Sequence, residues 1–138
     1  MHKMAIGKRN EFRVWARLID AGFDVYPTLV DDKGIDGLVG FNGKYFEVQI
    51  KSGMNWVNQR GIGIASLSLN SERLFIIYNY TLEDIRYFTA SQILNEAEWR
   101  ESITWKIPQI KLNKILLRKY ALHDWEGLFD HLRSGRSV

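Results

Sequence analysis

A tight turn between two strand-like segments constrains the fold of this chain more than any other feature of its sequence. The dipeptide Asn42-Gly43 lies within residues 34–53, GIDGLVGFNGKYFEVQIKSG. Asn-Gly is favoured in two-residue hairpin turns because both turn residues adopt positive φ angles there. Residues 35–41 and 44–51 are therefore predicted to form neighbouring antiparallel strands.

The second strand of this hairpin alternates between apolar and polar side chains. Successive side chains of a strand point to opposite faces of the sheet. One face is thus apolar, and the other carries Glu47, Gln49 and Lys51. Asp36 starts the first strand and Gln49 ends the second, so we expect these two side chains to lie side by side.

The segment before the hairpin has the periodicity of an amphipathic helix. Residues 8–21 place their apolar side chains in one broad arc at about 100° per residue. The arc consists of Phe12, Val14, Trp15, Ala16, Leu18 and Ile19. The opposite side carries Asn10, Arg13, Arg17 and Asp20. Glu11 falls inside the arc that should face the core, and Gly22 is expected to end the helix.

Further strands are predicted on both sides of the hairpin. Residues 24–30 precede it, and Pro27 within them indicates an edge strand or an irregular start of the strand. The apolar run of residues 73–80 is typical of a buried strand, with residues 84–88 as its expected partner. Residues 52–72 are interpreted as a loop followed by a strand-like segment.

Two helices are predicted in the second half of the chain. Thr89 and Gln92 have the spacing of a capping box, which predicts a helix to about residue 100. Asp124 is expected to cap a last helix. The apolar residues of that helix are Trp125, Leu128, Phe129 and Leu132. Residues 103–120 mix apolar and basic side chains, and both a strand and a helix fit them.

Length and composition indicate one globular domain over residues 1–138. A chain of this size buries a core without disulfides or structural metal. Because cysteine is absent, disulfides, thiolate metal sites and cysteine nucleophiles are excluded. No apolar run reaches the roughly 18 residues of a membrane helix, and residues 1–10 lack the apolar region of a signal peptide. We therefore expect a cytoplasmic protein without a membrane partner.

The net charge of +3 is distributed unevenly along the chain. Residues 3–17 contain five cations and one acid, and residues 106–119 contain five cations and no acid. Between them lies a local acidic island of Asp31, Asp32, Asp36 and Glu47. Basic flanks around an acidic centre suit a protein that holds a polyanion and places a metal ion against it. The alternative interpretation is that these charges are solvated helix faces.

The polar residues of the helix and the hairpin form a candidate metal site. Oxygen ligands from Glu11, Asp36 and Gln49 would suit Mg²⁺, which keeps several waters and takes few protein ligands. Lys51 is expected to orient or deprotonate a water and to stabilise charge on a phosphate. Taken singly, Asp36 also fits a turn cap, and Gln49 and Lys51 also fit the solvent face of an edge strand.

This order of residues resembles the signature of the PD-(D/E)XK nuclease superfamily. Asp36 stands at the position of the acid that starts one strand, and Gln49-Ile50-Lys51 at the acid-x-lysine of the next. Glu11 matches a glutamate that many members contribute from the preceding helix. The pattern is similar to the QxK variant, which includes a group I intron homing endonuclease. The resemblance covers roughly residues 7–53 and extends loosely to about residue 89.

The resemblance implies an α/β fold with a restriction-endonuclease-like core, in which helices flank a mixed central β-sheet. It implies an endonuclease of the homing or restriction type that hydrolyses DNA phosphodiester bonds with Mg²⁺ or Mn²⁺. Asp36, Gln49 and Glu11 would then bind the metal, and Lys51 would act on the water. Ile35 replaces the proline of the pattern and Gln49 replaces its second acid, so Glu47 on the same face is the candidate to restore the missing charge.

Two alternatives to an active nuclease are open. One is a catalytically silent relative that binds nucleic acid or a protein partner. The other is an immunity or interaction protein that uses the same fold. Cleavage of DNA by the purified protein would distinguish the nuclease from both alternatives, because fold alone does not determine function.

DNA is the expected partner. The candidate contact residues are Lys8, Arg9, Trp56, Arg60, Lys111, Lys114 and Arg118. Because cutting two strands requires two active sites, we expect a homodimer or homotetramer. The histidines His2, His123 and His131 lack metal spacing and are expected at the surface, whereas Trp125 is expected in the core or at an interface.

Overall fold

A computed structural model of the chain describes residues 2–32, 35–54, 62–63, 70–94, 109–110 and 122–135. Within these ranges the chain forms three helices and eight strands. The helices are α1 (Lys3–Asp20), α2 (Ala90–Leu94) and α3 (Trp125–Ser134). The strands are β1 (Asp24–Asp32), β2 (Ile35–Phe41), β3 (Lys44–Gly53), β4 (Ile62–Gly63), β5 (Leu74–Asn79), β6 (Asp84–Thr89), β7 (Gln109–Ile110) and β8 (Leu122–His123).

Six of these strands form one mixed sheet in the order β1-β2-β3-β5-β6-β8. Strands β3 and β5 are parallel, and the other neighbours in this sheet are antiparallel. Strands β4 and β7 form a separate antiparallel pair. The predicted α/β fold with a mixed sheet is confirmed, and β3 is an interior strand of that sheet.

The predicted hairpin is present, with β2 and β3 joined at Asn42 and Gly43. Their φ angles are 51° and 79°, which is the left-handed conformation that a two-residue hairpin turn requires. The register pairs Phe41 with Lys44 and continues to Gly37 and Val48. Strand β1 carries Pro27 and, among the described strands, lies at the edge of the sheet beside β2, so the edge-strand interpretation is confirmed.

Helix α1 begins earlier than predicted and ends where the sequence indicates. Gly22 has a φ of 97°, and its N–H donates to the carbonyl of Ile19 at 3.0 Å. The N–H of Phe23 donates to the carbonyl of Leu18 at 3.1 Å. These two bonds form a Schellman motif, which satisfies carbonyl groups at the helix end.

The buried face of α1 differs from the predicted apolar arc. Val14, Trp15 and Leu18 are buried, but Phe12 and Ile19 are 58% and 57% exposed. Ala16 is exposed as well, so the prediction that Phe12, Ala16 and Ile19 face the core is wrong. The prediction that Asn10 faces solvent is also wrong, because Asn10 is fully buried. The Trp15 ring lies against Gly37, where an added Cβ would come within 2.8 Å of it. This close contact sets the rotation of α1 on the sheet.

The hydrophobic core lies between one face of the sheet and the helices α1 and α3. Its members include Val14, Leu18, Val39, Phe46, Val48, Leu74, Ile76, Ile85, Leu128 and Leu132. Asp124 caps α3 as predicted, since its Oδ1 accepts a hydrogen bond from the N–H of Gly127 at 2.7 Å. Trp125 is buried, also as predicted.

His131 lies in this core rather than at the surface. Its ring is centred 5.5 Å from that of Phe46 and 6.0 Å from that of Tyr87. Burial, followed by the charge of Lys44, lowers the pKa of His131. The predicted surface position is wrong because His131 falls on the apolar side of α3, one helical turn after Leu128.

The second half of the sheet follows the predictions where it is described. Strands β5 and β6 pair antiparallel, and every residue of β5 is buried. The Gln92 side-chain carbonyl accepts a hydrogen bond from the N–H of Thr89 at 2.8 Å, as a capping box requires. The predicted continuation of this helix to residue 100 lies outside the described residues, as do most of residues 52–72 and 103–120. No helix in the described ranges is long and apolar enough to cross a membrane.

Candidate active site

The site is built where the backbone ladder between β2 and β3 ends. The last paired residues are Gly37 and Val48, whereas β3 continues to Gly53 along β5. Beyond the ladder, the N–H of Ile50 donates to Oδ2 of Asp36 at 2.6 Å. The Asp36 carboxylate thus takes the place of a backbone acceptor at the point where the two strands stop pairing.

Asp36 and Gln49 meet at this point of the sheet. The register of β2 and β3, extended by one residue, sets Asp36 opposite Gln49. The Asp36 carboxylate also accepts from the N–H of Ile50, the residue that follows Gln49. Asp36 is 7% exposed and Gln49 is 8% exposed. A buried carboxylate and a buried amide therefore lie next to each other, as the sequence predicts.

Gln49 and Lys51 lie on an interior strand. In the parallel ladder, Gln49 is next to Phe75 and Lys51 is next to Ile77. Both neighbours are almost completely buried, and Lys51 itself is half-buried. The alternative that Gln49 and Lys51 form the solvent face of an edge strand is therefore wrong. Burying polar groups costs free energy. Polar side chains that are nevertheless buried in a sheet are typical of a functional site.

Helix α1 brings Glu11 to the C-terminal end of β3. The side chain of Asn10 is tied to β3 because its Nδ2 donates to Oγ of Ser52 at 3.3 Å. Ser52 directly follows Lys51, so Glu11 lies on the turn of α1 that contacts this end of the strand. The Glu11 carboxylate forms an ion pair with Lys8, with Nζ and Oε2 3.0 Å apart.

Glu47 forms an ion pair with Arg73, a residue that the sequence places only at the start of a buried strand. Nε and Nη2 of Arg73 contact Oε2 of Glu47 at 3.0 and 2.7 Å. The side chain of Arg73 is 1% exposed and that of Glu47 is 30% exposed. A cation at the start of an apolar run was the only sequence signal for this contact. Both contacts are to Oε2, so the ion pair engages one of the two carboxylate oxygens of Glu47.

The donor atoms present fit a hard cation bound by few protein ligands. Asp36 and Gln49 offer carboxylate and amide oxygens, which are the ligands that Mg²⁺ prefers. Among the described residues, no three His, Cys, Asp or Glu side chains form a group that could hold a metal ion. The carboxylates of Glu11, Asp36 and Glu47 therefore do not form such a group in the described structure, whereas Asp36 and the Gln49 segment lie on neighbouring strands.

The predicted DNA contacts are described in part. Lys8 is exposed and pairs with Glu11, and Arg9 is half-buried. The remaining candidates lie outside the described residues: Trp56, Arg60, Lys111, Lys114 and Arg118. Of the predicted DNA contacts, the structure therefore describes Lys8 and Arg9 only.

The fold has counterparts among solved nuclease structures. A bacterial homing endonuclease matches with a TM-score of 0.53 and 18% sequence identity, over 70% of this chain and 71% of the other. The Holliday junction resolvase of the hyperthermophilic archaeon Archaeoglobus fulgidus matches with a TM-score of 0.54 and 12% identity, over 84% of this chain and 94% of the other. No protein-family model and no curated protein matches the sequence.

Both similarities have low sequence identity, so they concern the fold and not the activity. Both known structures are nucleases. The order of Glu11, Asp36 and Gln49-Ile50-Lys51 in this chain predicted a fold of that kind. The chain therefore has the fold of the PD-(D/E)XK-type nucleases.

Proposed function

We propose that this chain is a metal-dependent endonuclease that hydrolyses phosphodiester bonds of DNA, with Mg²⁺ or Mn²⁺ as its cofactor. The observation that carries the proposal is the 2.6 Å hydrogen bond from the N–H of Ile50 to Asp36. It holds an acid beside the segment Gln49-Ile50-Lys51, which is the arrangement of the nuclease signature that these residues resemble. The nuclease fold of the chain supports the same reaction.

The residues divide the chemistry between them. Asp36 would hold the metal through its carboxylate, and Gln49 through its side-chain carbonyl. When bound, the ion supplies positive charge beside the phosphate and lowers the pKa of a coordinated water. Lys51 orients or deprotonates the attacking water and stabilises the negative charge that develops on the phosphate. Because Gln49 is neutral, the two ligands together offset only one charge of the ion.

Glu11 is proposed to complete or support the metal shell from α1. Its contact with Lys8 is an exposed pair of residues three apart on a helix, with Lys8 51% exposed. Such pairs contribute only about 0.2–0.5 kcal/mol. A divalent ion at the end of β3 would therefore compete readily with Lys8 for this carboxylate.

Two DNA forms are proposed as substrates, duplex DNA and the four-way junction. One structural neighbour is a homing endonuclease and the other is a Holliday junction resolvase. We favour duplex DNA because the Gln-x-Lys pattern resembles that of homing endonucleases. Two cuts require two sites, so a homodimer or homotetramer in the cytoplasm is part of the proposal.

Cleavage of supercoiled plasmid by the purified protein tests the proposal. We expect nicked and linear DNA with Mg²⁺ or Mn²⁺ and no product with EDTA. Asp36→Asn and Lys51→Ala should both abolish cleavage, and Lys51→Ala should still bind Mn²⁺. Asp24→Asn removes an exposed carboxylate outside the site and should cleave normally. Cleavage by Asp36→Asn at the wild-type rate would contradict the site.

A catalytically silent relative that binds nucleic acid is the second candidate. It is favoured by one observation, namely that the carboxylates of Glu11 and Glu47 are engaged by Lys8 and Arg73. That leaves Asp36 as the one acid at the centre of the site within the described residues. Binding to labelled duplex and junction DNA, without cleavage under any divalent ion, would support this candidate.

A further inference from the structure

The candidate active site adjoins an irregularity on the other side of β2, where β2 pairs with β1. The ladder between these two strands is interrupted, and the pairs on either side of the interruption are Pro27 with Gly37 and Asp32 with Ile35. Residues 28–31 of β1 thus lie opposite the single residue Asp36 of β2. Bulges end or redirect strand pairing and are common next to active sites, where they change the direction of a side chain.

The hydroxyl group of Thr28, the first residue of this bulge, contacts the backbone at Asp36. Its Oγ1 donates to the carbonyl oxygen of Ile35 and to that of Asp36, each at 3.1 Å. Consecutive residues of a regular strand form their ladder bonds with opposite neighbours, so two successive carbonyls that contact one hydroxyl indicate a local departure from regular geometry. Because a threonine hydroxyl has one proton, the two carbonyls share it.

The two carbonyls belong to the peptide groups on either side of the Asp36 Cα atom. Peptide groups are planar, so a residue has two soft backbone torsion angles, and contacts to both neighbouring groups restrict both angles. These angles set the direction of the Asp36 side chain. Its carboxylate accepts from the N–H of Ile50 on the other neighbouring strand at 2.6 Å. Asp36 is thus held through its backbone by β1 and through its side chain by β3.

Burial makes water a poor substitute for the Thr28 hydroxyl. Asp36 is 7% exposed, and Thr28 is partly buried. A carbonyl that loses its donor in such a place gives up a hydrogen bond that solvent does not readily replace. Without the hydroxyl, the restriction on the Asp36 backbone is lost together with the bond.

We propose that Thr28 is a positioning residue of the candidate active site, which directs the Asp36 carboxylate towards the divalent metal ion. The role in metal binding rests on the proposed function, whereas the contact with the Asp36 backbone does not. Thr28 acts through Asp36 and touches neither the metal nor the DNA. Mutation of residues that orient a metal ligand typically reduces metal affinity or activity by about 10–100-fold.

Hydrogen exchange of backbone amides, followed by NMR without metal or DNA, tests the contact itself. Thr28→Val removes the hydroxyl and keeps the shape of the side chain. We expect the N–H of Ile50, which reports the position of the Asp36 carboxylate, to exchange about two- to tenfold faster relative to the buried N–H groups of β5. Equal acceleration of Ile50 and of β5 would mean a general loss of stability and would overturn the proposal.

Two further variants are the controls. Thr28→Ser keeps the hydroxyl and should restore the slow exchange of Ile50. Thr81→Val makes the same change at an exposed threonine in the turn between β5 and β6, and it should leave the exchange of Ile50 unchanged. Failure of Thr28→Ser to restore slow exchange would assign the effect to side-chain shape and overturn the role of the hydroxyl.

Calorimetry with Mn²⁺ and plasmid cleavage test the role in metal binding. Thr28→Val should bind Mn²⁺ about tenfold more weakly, and Thr28→Ser should bind it like the wild type. Because Thr28 does not touch DNA, Thr28→Val should lower kcat for cleavage and leave KM for DNA unchanged, and a higher Mn²⁺ concentration should restore part of the loss.

The outcomes separate this proposal from the proposed function. A protein that never cleaves DNA, but in which Thr28→Val accelerates the exchange of Ile50 and weakens Mn²⁺ binding, would retain the positioning role and reject the nuclease. Equal Mn²⁺ affinity and equal cleavage in Thr28→Val and the wild type would retain the nuclease and reject the positioning role.

Discussion

Asp36 of β2 accepts a hydrogen bond from the backbone N–H of Ile50 of β3 at 2.6 Å, just beyond the end of their backbone ladder. The contact gives the acid a structural task in addition to the metal-binding role proposed for it. Ile50 lies between Gln49 and Lys51, so the position of Asp36 is fixed relative to both polar side chains of the strand.

The two tasks of Asp36 are separable by substitution. Asn retains a side-chain oxygen that can accept from Ile50, whereas Ala leaves this N–H without its acceptor at a cost of about 1–3 kcal/mol. We therefore expect Asp36→Asn to unfold at a higher urea concentration than Asp36→Ala, while neither variant cleaves DNA. Asp24→Asn and Asp24→Ala, at an exposed position, should have equal stability. Equal stability of the two Asp36 variants would count against the structural task.

Gln49 is expected to bind metal through a neutral oxygen. A carboxylate attracts a divalent cation more strongly, so Gln49→Glu should bind Mn²⁺ more tightly in calorimetry while the fold is retained. Gln92→Glu, at the start of α2, is the matched control and should leave Mn²⁺ affinity unchanged. Loss of Mn²⁺ binding in a folded Gln49→Glu protein would show that Gln49 is not a ligand.

The ion pair of Glu47 and Arg73 is expected to be structural. Removing one partner of a buried ion pair costs about 3–5 kcal/mol, and the partial exposure of Glu47 places Glu47→Gln at the lower end of that range. The double variant Arg73→Met with Glu47→Gln also removes the buried guanidinium charge of Arg73. It should therefore be more stable than Glu47→Gln alone. Urea unfolding of both variants measures the difference.

The pair of Lys44 and Glu72 provides the control for this experiment. Its atoms are 3.5 Å apart and both side chains are well exposed, at 39% and 45%. Exposed pairs contribute about 0–1 kcal/mol to stability. Glu72→Gln should therefore change the unfolding free energy by no more than about 1 kcal/mol. A Glu47→Gln effect as small as that of Glu72→Gln would mean that the buried pair does not stabilise the fold.

The features that the sequence predicts well are those set by near neighbours in the chain. The turn at Asn42 and Gly43 and the cap at Asp124 depend on a few adjacent residues, so local conformational preferences determine them. The contact of Asp36 with the Gln49 segment follows from the hairpin register. The adjacency of Asp36 and the Gln49 segment was therefore predictable once the hairpin was recognised.

The features that the sequence predicts poorly depend on packing between distant segments. Trp15 sets the rotation of α1 through its contact with Gly37, whereas periodicity alone indicated a broader arc that wrongly included Phe12, Ala16 and Ile19. The contact of Arg73 with Glu47 depends on the parallel pairing of β3 and β5. Parallel neighbours are joined by a long crossover, and no local signal specifies which strands will pair.

His131 is expected to make the stability of the fold depend on pH. Burial and the charge of Lys44 lower its pKa in the folded protein, whereas the unfolded chain has the ordinary value of about 6.5. The unfolded state therefore binds the proton more strongly, and the unfolding free energy falls as pH decreases below about 6.5. Below the pKa of His131 in the folded protein, both states carry the proton, and His131 no longer lowers the unfolding free energy further. Urea unfolding across this range measures the effect.

A variant at position 131 isolates this residue from the other titrating groups. His131→Gln cannot gain a proton, so its unfolding free energy should depend less steeply on pH between neutral and mildly acidic conditions. His2→Gln, at an exposed position, should follow the wild-type curve. Because Lys44 opposes protonation of His131, Lys44→Met should bring its folded pKa closer to the unfolded value and make the fall in stability smaller. Identical pH curves for His131→Gln and the wild type would show that His131 does not control the acid sensitivity.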